Sequence, residues 1–356
     1  MANTDDKPPL KITLEDLAKV NVRNDGQGAA SGAAVAPGGA RQYGNIATPG
    51  ADAAAVKDEG KSKFYLQGWF YLGLAGMSGA FLAWAICEPR FVDGEGHRWG
   101  NTVIIPLVVA LMCFGLGVAE SIVERSPRKA ATRGLLALLL GAIGGFLFNF
   151  VAGIIFMFGL AIVSELGVQT YRNPAFWIAR GVAWMVFGVA GGLIYGLVDM
   201  SAKKLRYGVL GGVIGAGLGG MVFDPIAMAT NAGAPSRAVG FTLLGLATGV
   251  AMGIVESALK DRWVYVAAGP LAGKQFILYK PLTAIGSSQQ CDIYLFKDNS
   301  IQPQHASIEL RGAQTFLHAA GQVYVSGQPV RTRALQSGDL IQIGRYSFHY
   351  RERGRN

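Results

Sequence analysis

Between Phe64 and Val255 the apolar residues run in six long stretches separated by short polar connections. A stretch of about 20 apolar residues is what a helix needs to cross a hydrocarbon core roughly 30 Å thick. The pattern predicts membrane spans at about 64–86, 102–119, 134–153, 176–198, 207–227 and 238–255. The flanks are patterned differently. Residues 1–60 are polar and rich in Ala, Gly, Asp and Asn, as in Gly26–Gly32. Such a segment buries too little apolar surface to offset its ordering entropy. One helix start, Thr13 followed by Asp16 within Lys11–Val20, interrupts it. From Trp263 onward the period becomes two and the segments shorten: Trp263–Ala268, Gln275–Tyr279, Thr283–Ile285, Asp292–Phe296, Ala306–Leu310, Gln322–Val325 and Leu340–Ile343. Short strands divided by Gly, Pro, Asn and Asp predict an antiparallel sandwich or barrel. The chain therefore reads as a disordered arm (1–60), an all-α membrane domain (61–258) and a C-terminal all-β domain (263–353).

The charges orient the spans. Lys61 and Lys63 precede the first, Arg125, Arg128, Lys129 and Arg133 lie between the second and third, Lys203, Lys204 and Arg206 between the fourth and fifth, and Lys260 and Arg262 follow the sixth. The other connections hold only Arg90 and Arg98, then Arg172, then Arg237. By the positive-inside rule both termini are cytoplasmic, and an even number of crossings demands the same. Only 15% of the 356 residues are charged, against roughly a quarter in soluble domains. Many of the positive residues behind the net charge of +9 sit in those connections rather than in one stripe, so no nucleic-acid partner is expected. No apolar run in the first 60 residues forms a secretory signal.

The membrane zone repeats itself. Phe187–Ser201 parallels Leu244–Ala258, and Glu124, Asp199 and Glu256 end the second, fourth and sixth spans alike, at offsets of 75 and 57 residues. Gly144–Asn149 matches Gly219–Asp224, again at 75. The surplus of 18 residues in the first unit falls between Asn149 and Arg180, where Phe150–Val163 is itself apolar. A single tilted helix would accommodate it; a break near Asn149 followed by a short interfacial or re-entrant piece is the preferred expectation. Gly188, Gly192 and Gly196, then Gly211, Gly215 and Gly219, then Gly245, Gly249 and Gly253 each recur every four residues. That spacing puts each trio on one helix face, where small residues let backbones meet in lipid. These faces are expected to pack a compact bundle and leave room for oligomer formation.

Few residues offer chemistry. Gly215–Gly220 fits G-x-G-x-x-G but lies inside an apolar span, not between a strand and a helix, so it is no dinucleotide site. Asn149 and Asp224 are the polar candidates within the membrane; both fall near the outer interface, and Asp224 precedes Pro225, so they read as helix terminators. Glu124, Asp199 and Glu256 beside basic turns read as interfacial charges. Cys87, Cys113 and Cys291 show no metal or disulfide spacing, and His97, His305, His318 and His349 stand apart from cysteines and catalytic acids. No cofactor, metal or enzymatic activity is expected.

In the C-terminal zone, Ala284–Gly286, Cys291–Phe296, Ile301–Ala306, Val325–Gly327 and Leu335–Gly344 together resemble the forkhead-associated (FHA) domain family over about 90 residues. The resemblance implies a β-sandwich that binds phosphothreonine peptides through loops at one end. Gly286, His305 and Gly327 match the family, His305 as the residue that orders the binding loop. Three contact positions depart: Ser287 stands for the arginine after the glycine, Gln302 for the serine of the S-x-x-H motif, and Ser326 for the asparagine before the later glycine. Arginine's charged fork suits phosphate geometry, and Ser287 lacks both charge and reach. With Ser288 beside it and Arg311, Arg331 and Arg333 as basic positions nearby, the resemblance implies a protein partner, phosphorylated or acidic, met without the usual phosphate pose. The expected whole is a multi-pass cytoplasmic-membrane protein, in contact with lipid, whose FHA-like domain recruits that partner; the rival is a channel or transporter regulated by it.

Overall fold

The computed structural model describes residues 64–94, 98–167, 172–230 and 233–354. The Thr13–Asp16 helix signal, Lys61, Lys63 and His97 lie outside them.

Among the described residues, six helices are long and apolar enough to span a membrane: α1 (Gly68–Cys87), α2 (Trp99–Val123), α3 (Pro127–Glu165), α4 (Pro174–Val198), α5 (Ala202–Ala229) and α6 (Ala234–Leu259). Two of the starts, those of α4 and α5, carry a side-chain cap. Asn173 Oδ1 accepts from the Ala175 amide at 2.9 Å and Ser201 Oγ from the Lys204 amide at 3.2 Å, each satisfying a donor the first turn leaves free. Each helix packs on its chain neighbours and α6 returns to α1, closing a ring. Leu72, Met112, Leu116, Tyr195 and Met252, from four of the helices, meet in one buried cluster, with Met112 and Met252 fully enclosed.

The glycines set how closely the ring closes. A Cβ at Gly188, Gly192 or Gly196 would collide with the α5 backbone at Gly212, Val209 and Leu205. Gly211, Gly215 and Gly219 meet α6 at Met252, Thr248 and Leu244 in the same way, and Gly245, Gly249 and Gly253 meet α1 at Gly76, Leu72 and Trp69. Each trio thus faces a different neighbour around the ring.

Two expectations fail here. Helix α3 does not break at Asn149; it runs unbroken for 39 residues, about 58 Å at 1.5 Å per residue. One amide without a proline leaves the hydrogen-bond ladder intact, and Phe150–Val163 continues the apolar run. Its outward side, including Phe146, Phe150, Met157 and Phe158, is exposed. Helix α5 likewise does not stop at Asp224 but passes through Pro225 to Ala229. Membrane helices tolerate proline because neighbouring groups restore what the missing N–H loses.

The repeat is geometric as well as sequential. Arg125 and Met200, 75 residues apart, both take a left-handed backbone (φ 54° and 51°). The following serine amides bond back to Ser121 and Gly196 at 2.9 and 3.1 Å. This is a Schellman-type helix end closed by a residue other than glycine. After α6 the chain leaves as a strand instead of repeating the turn.

That strand opens the β domain: β1 (Arg262–Ala268), β2 (Gln275–Ile277), β3 (Leu282–Gly286), β4 (Ile293–Tyr294), β5 (Ala306–Arg311), β6 (Gln314–Val325), β7 (Gln328–Leu335), β8 (Leu340–Ile343) and β9 (Tyr346–Glu352). Their order is β2-β1-β9-β8-β6-β5-β3-β4, with β7 added on β6. All pairs are antiparallel except β3 with β4. Val264, Ile285, Ile308, Leu317, Val325, Ile343 and Phe348 belong to the core between the layers. The expected Gln322–Val325 segment is only the end of the twelve-residue β6.

Candidate partner-binding edge and the charged node beneath it

One end of the sandwich is built by the β3–β4, β4–β5 and β6–β7 connections. Gly286 closes β3 where any Cβ would strike the Pro303 carbonyl, so the two loops lie against each other. The Ser287 amide donates to the Gln302 carbonyl at 2.9 Å, its hydroxyl to the Ile301 carbonyl at 2.7 Å, and the Ser288 amide to Pro303 at 3.2 Å. Buried His305 locks this arrangement. Its Nδ1 accepts from the Gln302 amide at 3.1 Å, leaving Nε2 to donate to the Gln322 carbonyl at 3.0 Å. Gly321 lies so close to the imidazole that a Cβ there would overlap the ring. Cys291 donates its thiol to Pro303 at 3.0 Å, and burial pushes that thiol up from its ordinary range.

Across the edge, Ser326 (φ 50°) and Gly327 (φ 81°) make the β6–β7 turn. The Ser326 hydroxyl donates to Asp339 Oδ1 at 3.2 Å. Gln290, Gln302, Gln304, Ser326 and Gln328 are exposed, so the rim presents amides and hydroxyls. Near its far corner Asp298 anchors the β4–β5 loop. Burial pushes its carboxyl up, but the Ser300 hydroxyl and the Arg345 and Ser300 amides outweigh that and hold it below the usual range. The structure does not bring every proposed position together. Arg311 lies at the opposite end of β5, paired with Glu309 at 2.7 Å, and Arg331 projects from the middle of exposed β7. Neither reaches the edge, whereas Arg333 does: it donates to the Val325 carbonyl at 3.2 Å and lies 3.7 Å from Asp339, the acceptor of the Ser326 hydroxyl.

A buried polar assembly joins residues that lie far apart in sequence. The acids taken for interfacial charges are buried together where the bundle meets the β domain. Lys204 pairs with Asp199 and, at 2.8 Å, with Glu120, and Arg133 meets Asp199 at 2.7 Å. Glu124, 2% exposed, is held by Lys129 at 3.5 Å and by fully buried Lys274 of the β1–β2 turn at 2.8 Å. Glu256 accepts from the Tyr195 hydroxyl at 3.4 Å. Burial first, and then the Glu256 carboxylate, push the Tyr279 phenol well above its ordinary value. The signal for this node was the repeat: Glu124 and Asp199 recur with Lys129 and Lys204 at the same offset. A cavity of about 60 Å³ lies against it, lined by Glu120, Asp199, Lys204, Tyr279 and Asp292.

Asp224, expected as a helix terminator, instead pairs with the Arg180 guanidinium at 2.9 Å, which lies near Phe156, Trp184 and Phe223. Asn149 is half-buried within α3 and takes no part in this pair. Among the described residues no group of three or more His, Cys, Asp or Glu could hold a metal.

Fold and edge define a class: a six-helix membrane protein carrying a C-terminal FHA-like domain. Residues 265–354 match the family described as the inner membrane component of T3SS, cytoplasmic domain. Among curated proteins, the glycogen accumulation regulator GarA of Mycolicibacterium smegmatis is 34% identical over 84 residues, 23% of this chain and 52% of that one. The oxoglutarate dehydrogenase inhibitor of Corynebacterium efficiens is 33% identical over 84 residues, 23% and 58%. The chain thus spans about half the length of the curated relatives it matches. Similar solved structures include an FHA domain from Chlamydia trachomatis (24% identity, TM-score 0.25, 27% of this chain and 100% of that one). Another is the N-terminal FHA domain of S. cerevisiae RAD53P in complex with a phosphothreonine peptide (17% identity, TM-score 0.25, 26% and 94%).

Proposed function

We propose that this protein is a membrane-anchored adaptor whose FHA-like edge, on the cytoplasmic side, recruits a protein partner without phosphothreonine in the family's usual pose. The observation that carries this reading is the edge itself: a loop frame ordered by Gly286 and His305, whose rim holds Ser287, Gln302 and Ser326 in place of charged or phosphate-directed groups. Hydrogen bonds to charged groups contribute about 1.5–3 kcal/mol each, or roughly one to two decades of affinity. Ser287 supplies no such bond to a phosphate. Its hydroxyl is already committed to the Ile301 carbonyl.

The relatives are named for regulating or inhibiting other systems, and the matching family for a cytoplasmic domain at an inner membrane; both support a regulatory partner on that side. The basic α2–α3 and α4–α5 turns support the same orientation for both termini. The buried cluster around Met112 and Met252 supports an anchor over a conducting path. Catalysis forms no part of the reading.

The test is titration of the full chain in nanodiscs against a phosphothreonine peptide library and its unphosphorylated twin. Weak or phosphate-indifferent binding is expected, with Ser287→Arg gaining phosphate preference. Wild-type binding tighter than about 10 μM, with the unphosphorylated twin at least about tenfold weaker, would overturn the proposal.

A further inference from the structure

We propose that the β3–β4 side of this edge already has a resident ligand, the basic α2–α3 turn of the same chain, latched there by the buried Lys274–Glu124 pair. The proposal deepens the recruitment reading and rests on it: a partner that takes the whole edge must displace the turn.

The contact is specific. The amide of Arg128, in the first turn of α3, donates to Gln289 Oε1 at 3.3 Å. Lys129 Nζ donates to the Asp292 carbonyl at 3.1 Å, and the Arg125 guanidinium lies 5.9 Å from the Phe296 ring centre. A helix start leaves its first amides without intrahelical partners, so something outside the ladder must take them. The two repeated turns solve this differently. Ser201 caps α5 with its own hydroxyl, whereas Ser126 makes no side-chain cap on α3, and the glutamine of the β3–β4 loop takes an amide there instead. The repeat thus supplies its own control: the same turn, closed internally in one copy, is closed by the FHA-like loop in the other.

The latch sits beside it. Lys274 and Glu124 are almost fully enclosed and belong to the two domains, so their pairing exists only while the β domain is docked. Removing Lys274 leaves Glu124 buried in the docked state with only the longer Lys129 contact at 3.5 Å, which makes docking strongly dependent on Lys274. By linkage, a partner favouring the undocked loop weakens the latch by the same factor by which the latch weakens that partner. Gln302 and Ser326 remain open on the other side of the edge, where a partner can engage first.

Hydrogen–deuterium exchange on the full chain in nanodiscs, with no partner added, tests this. In Lys274→Met, amides of residues 288–292 and 126–130 should exchange roughly a hundredfold faster, the order expected when one member of a buried pair is removed. Protection of β5 and β6 should stay unchanged. Gln289→Ala, which leaves the node intact, should raise exchange in the same two segments by less. Unchanged exchange in both variants, or a rise spread through β5 and β6, would overturn the proposal. Because no partner enters the measurement, its failure leaves the recruitment reading standing, and a failed search for a partner leaves the latch standing.

Discussion

Gly249 is where α6 meets α1 most closely, and replacing it with leucine isolates the contribution of glycine contacts to the ring. A Cβ there collides with the Leu72 carbonyl, and the next nearest atoms are also backbone, so no side chain can swing aside. The helices must separate along a face that also holds Gly245 against Gly76 and Gly253 against Trp69. Overpacking of a well-filled contact costs about 1–3 kcal/mol. In a domain of this size each kcal/mol lowers the melting temperature by about 2–4 °C. Gly249→Leu should therefore melt about 2–12 °C below wild type. Gly153→Leu is the matched control, since nothing lies within 4 Å of a Cβ at that α3 position. Its melting temperature should stay within about 2 °C of wild type, since surface changes stay within about 0.5 kcal/mol. The assay is thermal unfolding in one detergent, followed by loss of monodisperse protein. Equal tolerance of the two variants would refute the packing argument, because it would mean that the Gly249 face does not bear on a neighbouring backbone.

The Arg180–Asp224 pair yields a sign test: Asp224→Asn strands a guanidinium among aromatic rings and should lower stability by about 3 kcal/mol, while Arg180→Met with Asp224→Leu should recover most of it. Full stability of Asp224→Asn in thermal unfolding would contradict a structural role for the pair. For topology, Lys203→Cys in a cysteine-free background should resist an impermeant thiol reagent in intact cells and react after permeabilisation. Labelling in intact cells would reverse the assignment.

The parts of the fold visible in the sequence were those that a single element decides alone. Apolar length decides a span, so all six helices were visible, with ends displaced where the polar turn residues join the helix, as at Pro127 and Ala202. The glycine trios could be placed on faces but not on partners, because spacing fixes the face and only the ring closure chooses the neighbour. Strand β7 escaped because Gln328, Pro329, Arg331 and Thr332 are exposed and give no alternation. Strand β9 could have been found from Tyr346, Phe348 and Tyr350 at period two. At the edge, the glycine and histidine frame was legible from motif order, and the distance of Arg311 from it was not, since strand direction decides which end a residue occupies. The charged node depended on residues from five helices and the β domain meeting, and only the recurrence of Glu124 with Asp199, and of Lys129 with Lys204, hinted at it.

The central claim is that the FHA-like edge recruits a protein independently of phosphothreonine, and affinity capture from a membrane-free lysate tests it most directly. The bait is the full chain in nanodiscs, with and without phosphatase treatment of the lysate, alongside a variant in which Gln302→Arg and Ser326→Trp block the exposed rim. Proteins held by the wild type, retained after phosphatase and lost from the blocked variant, are the expected result. Capture that vanishes with phosphatase, or that survives blocking of the rim, would contradict it.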